Sequence, residues 1–83
     1  MTAAKCEKLR RSEFLIAFIR KRALRYFGLP EDVEDAESEA WEKIQRAPEH
    51  ASIPDCAEIA GRAISALYMR HWRMRKQLLR RKA

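Results

Sequence analysis

The chain has 83 residues, 47% apolar and 36% charged, with 18 Lys/Arg against 12 Asp/Glu. That leaves room for one domain, residues 1–83, and one small core; it argues against a closed catalytic pocket and against wholesale disorder. A net charge of +6 and a pI near 9.8 point to a polyanionic partner.

Residues 3–27 predict the first helix. Leu9, Ile16, Ile19, Ala23, Tyr26 and Phe27 fall at helical spacing, with Leu15 beside them. Phe14, Phe18 and Leu24 lie off that stripe. Either the bundle wraps more than one side of this helix, or these residues form a patch for a partner. A break near Ser12 would raise the count of helices from three to four. Gly28 stands where a helix C′ residue is expected, and Pro30 follows it.

Residues 30–46 predict a second, acidic helix. Pro30 suits the first turn, where its missing N–H costs nothing, and Glu31, Asp32, Glu34 and Asp35 complement the positive end of the helix dipole. The apolar stripe is Val33, Ala36, Ala40, Trp41 and Ile44. Glu37 falls inside it and must reach a basic partner or lie at an edge, because an unpaired buried carboxylate is expensive. Asp35, Ser38, Glu39 and Glu42 form the outer face.

Residues 47–53 read as a loop. Ser52 and Asp55 have the form of a capping box, and Pro54 fits the first turn of a third helix over 54–82. The expected core stripe of that helix is Cys56, Ile59, Ala60, Ala63, Ile64, Leu67, His71, Met74 and Leu78, with Gly61 at a point of close packing. Its last turn, residues 80–83, is expected to fray. No strand pattern, repeat or low-complexity linker interrupts this order, so the fold class is an all-α compact bundle of three helices, or four if the first is broken.

The charges are sorted along the chain. Residues 1–28 carry eight Lys/Arg and two acids, residues 29–50 carry two and eight, and residues 51–83 carry eight and two. Such segregation suggests two surfaces for two partners. The basic helix holds Arg62, Arg70, Arg73, Arg75, Lys76, Arg80, Arg81 and Lys82, interleaved with Tyr68, Trp72 and Leu79. Arginines suit phosphates, and rings can stack on exposed bases for ~1–3 kcal/mol each. The alternative is a solvated basic face with Tyr68 and Trp72 packed on the first helix. The acidic face can likewise be simply solvated, or dock a basic protein surface, where it would steer association.

Catalytic and metal chemistry find little support. There is no Gly-rich phosphate loop, no HExxH and no nucleophile–base pair. Cys6, Cys56, His50 and His71 fit no metal spacing, and His71 reads as a core residue. The expectation is no catalytic residue, no metal, no cofactor and no small-molecule substrate. No apolar run approaches a membrane span, and the N-terminus lacks a secretory signal, so a cytoplasmic location is expected. An acidic helix facing anionic lipid would be repelled, which argues against a membrane partner.

The order RYFG, then PEDVEDAESEAWEKIQRA, then a helix ending in a basic run resembles region 2 of bacterial sigma factors, most closely the extracytoplasmic-function type. Pro30, Glu31, Asp32, Glu34, Asp35, Ala40, Trp41 and Ile44 agree in type or spacing, Glu39 matches an acid of the family pattern, and Ile59–Ala60 with Arg62 is loosely similar to its IARN segment. The likeness spans residues 13–82. It implies that the acidic helix binds the clamp coiled-coil of bacterial core RNA polymerase through Asp32, Asp35, Ser38, Glu39 and Glu42. It also implies that the basic helix contacts promoter or non-specific DNA, with Arg62, Tyr68, Arg70, Trp72, Arg73, Arg75, Lys76 and Arg80 as its contacts, and that the cysteines are reduced thiols. The pattern departs at Glu37, at Ser38 where Gln is usual, and at PDCAEIAG, where the family has an aromatic-rich opening. Promoter melting and specific −10 readout therefore fall outside what is implied. With no helix-turn-helix domain in the sequence, the expectation is a free-standing region 2 or a truncated piece of a longer factor. Two other readings stand beside it: a stand-alone basic nucleic-acid-binding module, and a protein-interaction domain of a phage or mobile element that acts on its host.

Overall fold

The structure is a computed structural model that describes residues 1–82. Ala83 lies outside the described residues, as do the side chains of Arg81 and Lys82, so the expected fraying of the last turn falls partly there. Four helices follow in order: α1 (Ala3–Arg10), α2 (Glu13–Tyr26), α3 (Pro30–Gln45) and α4 (Ile53–Lys82), with no strand among the described residues. The fold is all-α. The long first helix expected from the sequence is two helices, broken at Arg11–Ser12. Ser12 takes extended backbone and its hydroxyl accepts from Leu15 N at 3.3 Å, so a serine cap starts α2 where a single helix would have run through. Thr2 caps α1 in the same way.

Two other termini follow from local chemistry. Leu29 is held extended by the following Pro30, which begins α3 without a side-chain cap. Ser52 and Asp55 form the expected reciprocal cap of α4: Ser52 N donates to Asp55 Oδ2 at 3.0 Å, and Asp55 N donates to Ser52 Oγ at 3.3 Å. The end of α2 differs from expectation. Phe27 leaves the helix in an extended conformation, and Gly28 does not take positive φ, so no left-handed glycine cap closes this helix.

The core is small and rich in alanine. Leu15, Ile19, Ala23, Ala36, Ala40, Ile44, Cys56, Ala60 and Ile64 are fully buried, with Phe27 and Val33 nearly so. Alanines on α3 and α4 let their backbones approach closely, and α3 and α4 form the main helix pair of the bundle. Ile16, placed in the stripe of the first helix, is exposed because the cap at Ser12 sets α2 with Leu15, Ile19 and Ala23 inward. Phe14 and Leu24 are exposed, while Phe18 packs partly against the core. Glu37 sits at the edge of α3, where Arg20 Nε of α2 lies 3.8 Å from its carboxylate. Trp41, half-buried beside it, is covered by the Arg10 guanidinium, 5.4 Å from the ring centroid.

The larger departure concerns α4. Its stripe is covered only as far as Leu67. His71, Met74 and Leu78 were expected in the core and are exposed. The cause is length: α2 has 14 residues and α3 has 16, against 30 in α4. At 1.5 Å per residue α4 spans about 45 Å, and the molecule measures 50 × 21 × 18 Å. Its radius of gyration is 14.5 Å, against about 12 Å for a sphere-like domain of this length. The molecule is a small bundle with one helix running on beyond it.

Candidate functional site

The flanks of α4 carry different chemistry. Its α2 side presents Gly61, Ser65, Tyr68 and Trp72. A shallow groove there is lined by Phe18 and Arg22 of α2 and by Ala57, Glu58, Gly61, Arg62 and Ser65 of α4. Ser65 donates a hydrogen bond to the Tyr26 hydroxyl at 3.4 Å. That bond, followed by the nearby Arg22 and Arg25 guanidinium groups, holds the Tyr26 phenol below its ordinary pKa despite the opposing effect of burial. Arg22 stacks over Phe18 at 5.2 Å, and Lys76 Nζ lies 4.9 Å from the Trp72 ring. The α2–α4 side is thus both basic and aromatic. Arg22 and Arg25 belong to it and were missed by sequence reasoning, which weighed α2 only for its apolar stripe. The signal was present: both residues fall on one side of α2 at helical spacing.

The residues singled out on α4 do not all converge. Arg62, Arg73 and Arg80 fall within about 20° of one another on the face turned away from the bundle, spread over about 27 Å, with Lys76 beside them. Arg62 is paired with Glu58 at 2.5 Å, both side chains well exposed. Tyr68 is not a free stacking platform: it packs against Tyr26 at 5.1 Å and edge-on to Phe27 at 6.0 Å. Trp72 is half exposed and remains accessible. Arg75 lines a separate cleft, and Arg70 turns toward α3.

On the opposite side lies the acidic face. Asp35, Ser38 and Glu42 are exposed along the outer surface of α3, with Asp32 and Glu39 half-buried at its α4 edge. Glu42 accepts from Arg46, the C-cap residue of α3, at 2.7 Å. Glu39 accepts from Arg70 at 3.3 Å. This last pair joins two residues that the sequence pattern assigns to different partners. With the Glu39 side chain only a quarter exposed, the pair stitches α3 to α4. Asp35 and Ser38 have no side-chain bond among the described residues and stay available on the outer face.

A third feature is a cleft of about 570 Å³ where the α2–α3 turn meets the second half of α4. Tyr26, Phe27, Leu29, Asp32, Tyr68, His71, Trp72, Met74, Arg75 and Leu78 surround it, and His71 stands edge-on to Phe27 at 5.5 Å. His71 is therefore at a surface, and the reason it reads as core in sequence is that its spacing continues the buried stripe.

Among the described residues no group of His, Cys, Asp or Glu is arranged to hold a metal ion, and no helix is long and apolar enough to cross a membrane. Comparison with protein-family models, curated proteins and solved structures gives no match to this chain.

Proposed function

We propose that this chain is a transcription regulator similar to sigma-factor region 2, which docks on bacterial core RNA polymerase through the outer face of α3 and contacts DNA through the α2–α4 side and the adjoining outward face of α4. One observation carries the reading: the acidic face and the basic, aromatic face lie on opposite flanks of one small bundle. A polyanion and a basic protein surface could then be held at the same time without competing. Long-range attraction would orient the protein between them before close contacts form. On the DNA side Arg22, Arg25, Arg62, Arg73, Lys76 and Arg80 hold phosphates, and Trp72 is the ring free to stack. On the polymerase side Asp35, Ser38 and Glu42 are the outward contacts, while Asp32 and Glu39 shape the edge. The role is one of binding and assembly, in the cytoplasm, without catalysis or cofactor.

The test is capture of bacterial core polymerase by the immobilised protein. The Asp35→Lys/Glu42→Lys variant leaves the Glu39–Arg70 pair intact and so preserves the bundle. It should lose capture with an unchanged helical circular dichroism signal. Capture equal to wild type would overturn polymerase docking. The cis pair Glu42–Arg46 favours one second reading, a stand-alone nucleic-acid-binding module whose acids are merely solvated. In that case DNA binding persists in the charge-reversed variant, and wild type captures no polymerase.

A further inference from the structure

The apolar seam of α4 continues past the bundle that covers it. Ala60, Ile64, Leu67, His71, Met74 and Leu78 alternate at steps of four and three residues, the spacing at which helix packs on helix. Ala60 and Ile64 are fully buried, whereas Met74 and Leu78 are 63% and 57% exposed. The uncovered half forms one wall of the 570 Å³ cleft, and Phe27, the exposed Leu29 and Asp32 stand on the other. Half of a helix-packing seam is thus left without a helix against it.

Charge narrows what can cover it. Asp32 lines the cleft, and Glu31 and Asp35 lie within one turn of it, on the same side of α3 by helical spacing. These acids repel the phosphates of nucleic acid, the headgroups of an anionic bilayer and the carboxylates of an acidic helix alike. Arg75 is the one Lys or Arg in the lining. A fitting occupant therefore offers a cation to Asp32, a carboxylate to Arg75 and an apolar stripe between them. The chain itself carries that combination. A surface with both signs set about an apolar strip is complementary to a copy of itself turned through a two-fold axis. Among the described residues neither Asp32 nor Arg75 forms a salt bridge, so both are open to a second chain. Arg70 is already paired with Glu39, and Arg73 and Arg80 project from the far face of α4, so two seams can meet without bringing these cations together.

We propose that this cleft is the interface of a two-fold dimer, in which the far half of α4 from each copy lies antiparallel in the cleft of the other. Met74 and Leu78 of one copy cover Phe27 and Leu29 of the other, and Arg75 of each meets Asp32 of the other. Neither Ser38 and Glu42 nor Arg62 and Arg73 take part, so the dimer stands whether or not polymerase docking does.

Sedimentation velocity on the full chain supplies the test. The mass should rise with concentration from 9.8 kDa toward twice that value. Met74→Ser/Leu78→Ser should raise the dissociation constant by at least about tenfold. Both positions are exposed, so the circular dichroism of that variant should match wild type. Asp32→Arg and Arg75→Asp each set like charges against one another across the axis, and each should weaken self-association by a similar factor. An equimolar mixture of these two variants sets only unlike charges across the axis and should restore association as a heterodimer. Mixing would not rescue variants that had merely lost their fold. A wild type that stays at 9.8 kDa at millimolar concentration overturns the proposal. So does a Met74→Ser/Leu78→Ser variant that associates like wild type, or a mixture no tighter than its components. A basic amphipathic peptide, phosphatidylglycerol vesicles and a short DNA duplex complete the series. If any of these binds a monomeric wild type through Met74 and Leu78, the cleft belongs to that class of partner and the dimer is wrong.

Discussion

Two carboxylates show how much single residues contribute to the order of this small bundle. Glu49 accepts the Thr2 backbone N–H at 2.6 Å and the Thr2 hydroxyl at 2.9 Å, tying the start of α1 to the loop before α4. Asp55 is held by the Ser52 backbone N–H and, secondarily, by its hydroxyl. These bonds favour the ionised forms and lower both pKa values. A carboxylate whose folded pKa is depressed contributes stability above its unfolded pKa and loses it as pH falls through the folded value. Thermal melts should therefore show wild type more stable than Glu49→Gln/Asp55→Asn at neutral pH. The gap should close as pH drops below about 4; a gap independent of pH would contradict this account. Gly61 gives the second residue-scale test. A Cβ there would meet Arg22 Cζ at 3.9 Å and Phe18 Cζ at 4.0 Å, both ordinary contacts with flexible side chains. Gly61→Ala should raise stability by about 0.5–1 kcal/mol in denaturant titration, the helix-propensity gain. Gly61 is buried beside these two side chains, yet a Cβ there stays at ordinary contact distance, so the packing that the sequence suggested does not require glycine.

At the scale of elements, α4 is really two segments with different support. From Cys56 to Leu67 it is packed against α2 and α3; from Met69 onward every described side chain is exposed. A helix segment with so little tertiary support is marginal at this length, and Arg73, Lys76 and Arg80 repel one another at spacings of three and four. Hydrogen exchange should show amides of residues 72–80 exchanging orders of magnitude faster than those of residues 57–67. Uniform protection along α4 would refute the division. This contrast also marks the limit of what the sequence shows. The break at Ser12, the proline start of α3 and the Ser52–Asp55 cap were legible because each depends on neighbours a few residues away. The coverage of His71, Met74 and Leu78 was not, because it depends on how far α2 and α3 extend alongside them. Periodicity identifies a seam but does not say what lies on it. For the same reason the pairing of Glu39 with Arg70 and the approach of Arg22 to the α4 groove were invisible: both join distant parts of the chain.

For the whole molecule, segregation of charge was readable from the sequence, and its arrangement on opposite flanks was not. The three blocks of alternating sign fold so that the acidic helix α3 packs against both α2 and α4, its outer face turned away from the groove that α2 and α4 form with each other. Binding to a DNA duplex should weaken linearly with the logarithm of salt concentration. The Arg62→Ala/Arg73→Ala/Lys76→Ala variant should reduce that slope by about 0.9 for each phosphate it no longer neutralises. Asp35→Lys/Glu42→Lys leaves Arg62, Arg73 and Lys76, the cations proposed to meet phosphates, in place. A slope unchanged by the triple variant would place phosphate binding elsewhere on the surface.

Cys6 and Cys56 are free thiols, both buried, and burial raises the Cys56 thiol above its ordinary pKa. A buried thiol with little thiolate cannot react with an alkylating reagent until the helices part. The rate of Cys56 modification therefore times the opening of the α4 core, without any added label.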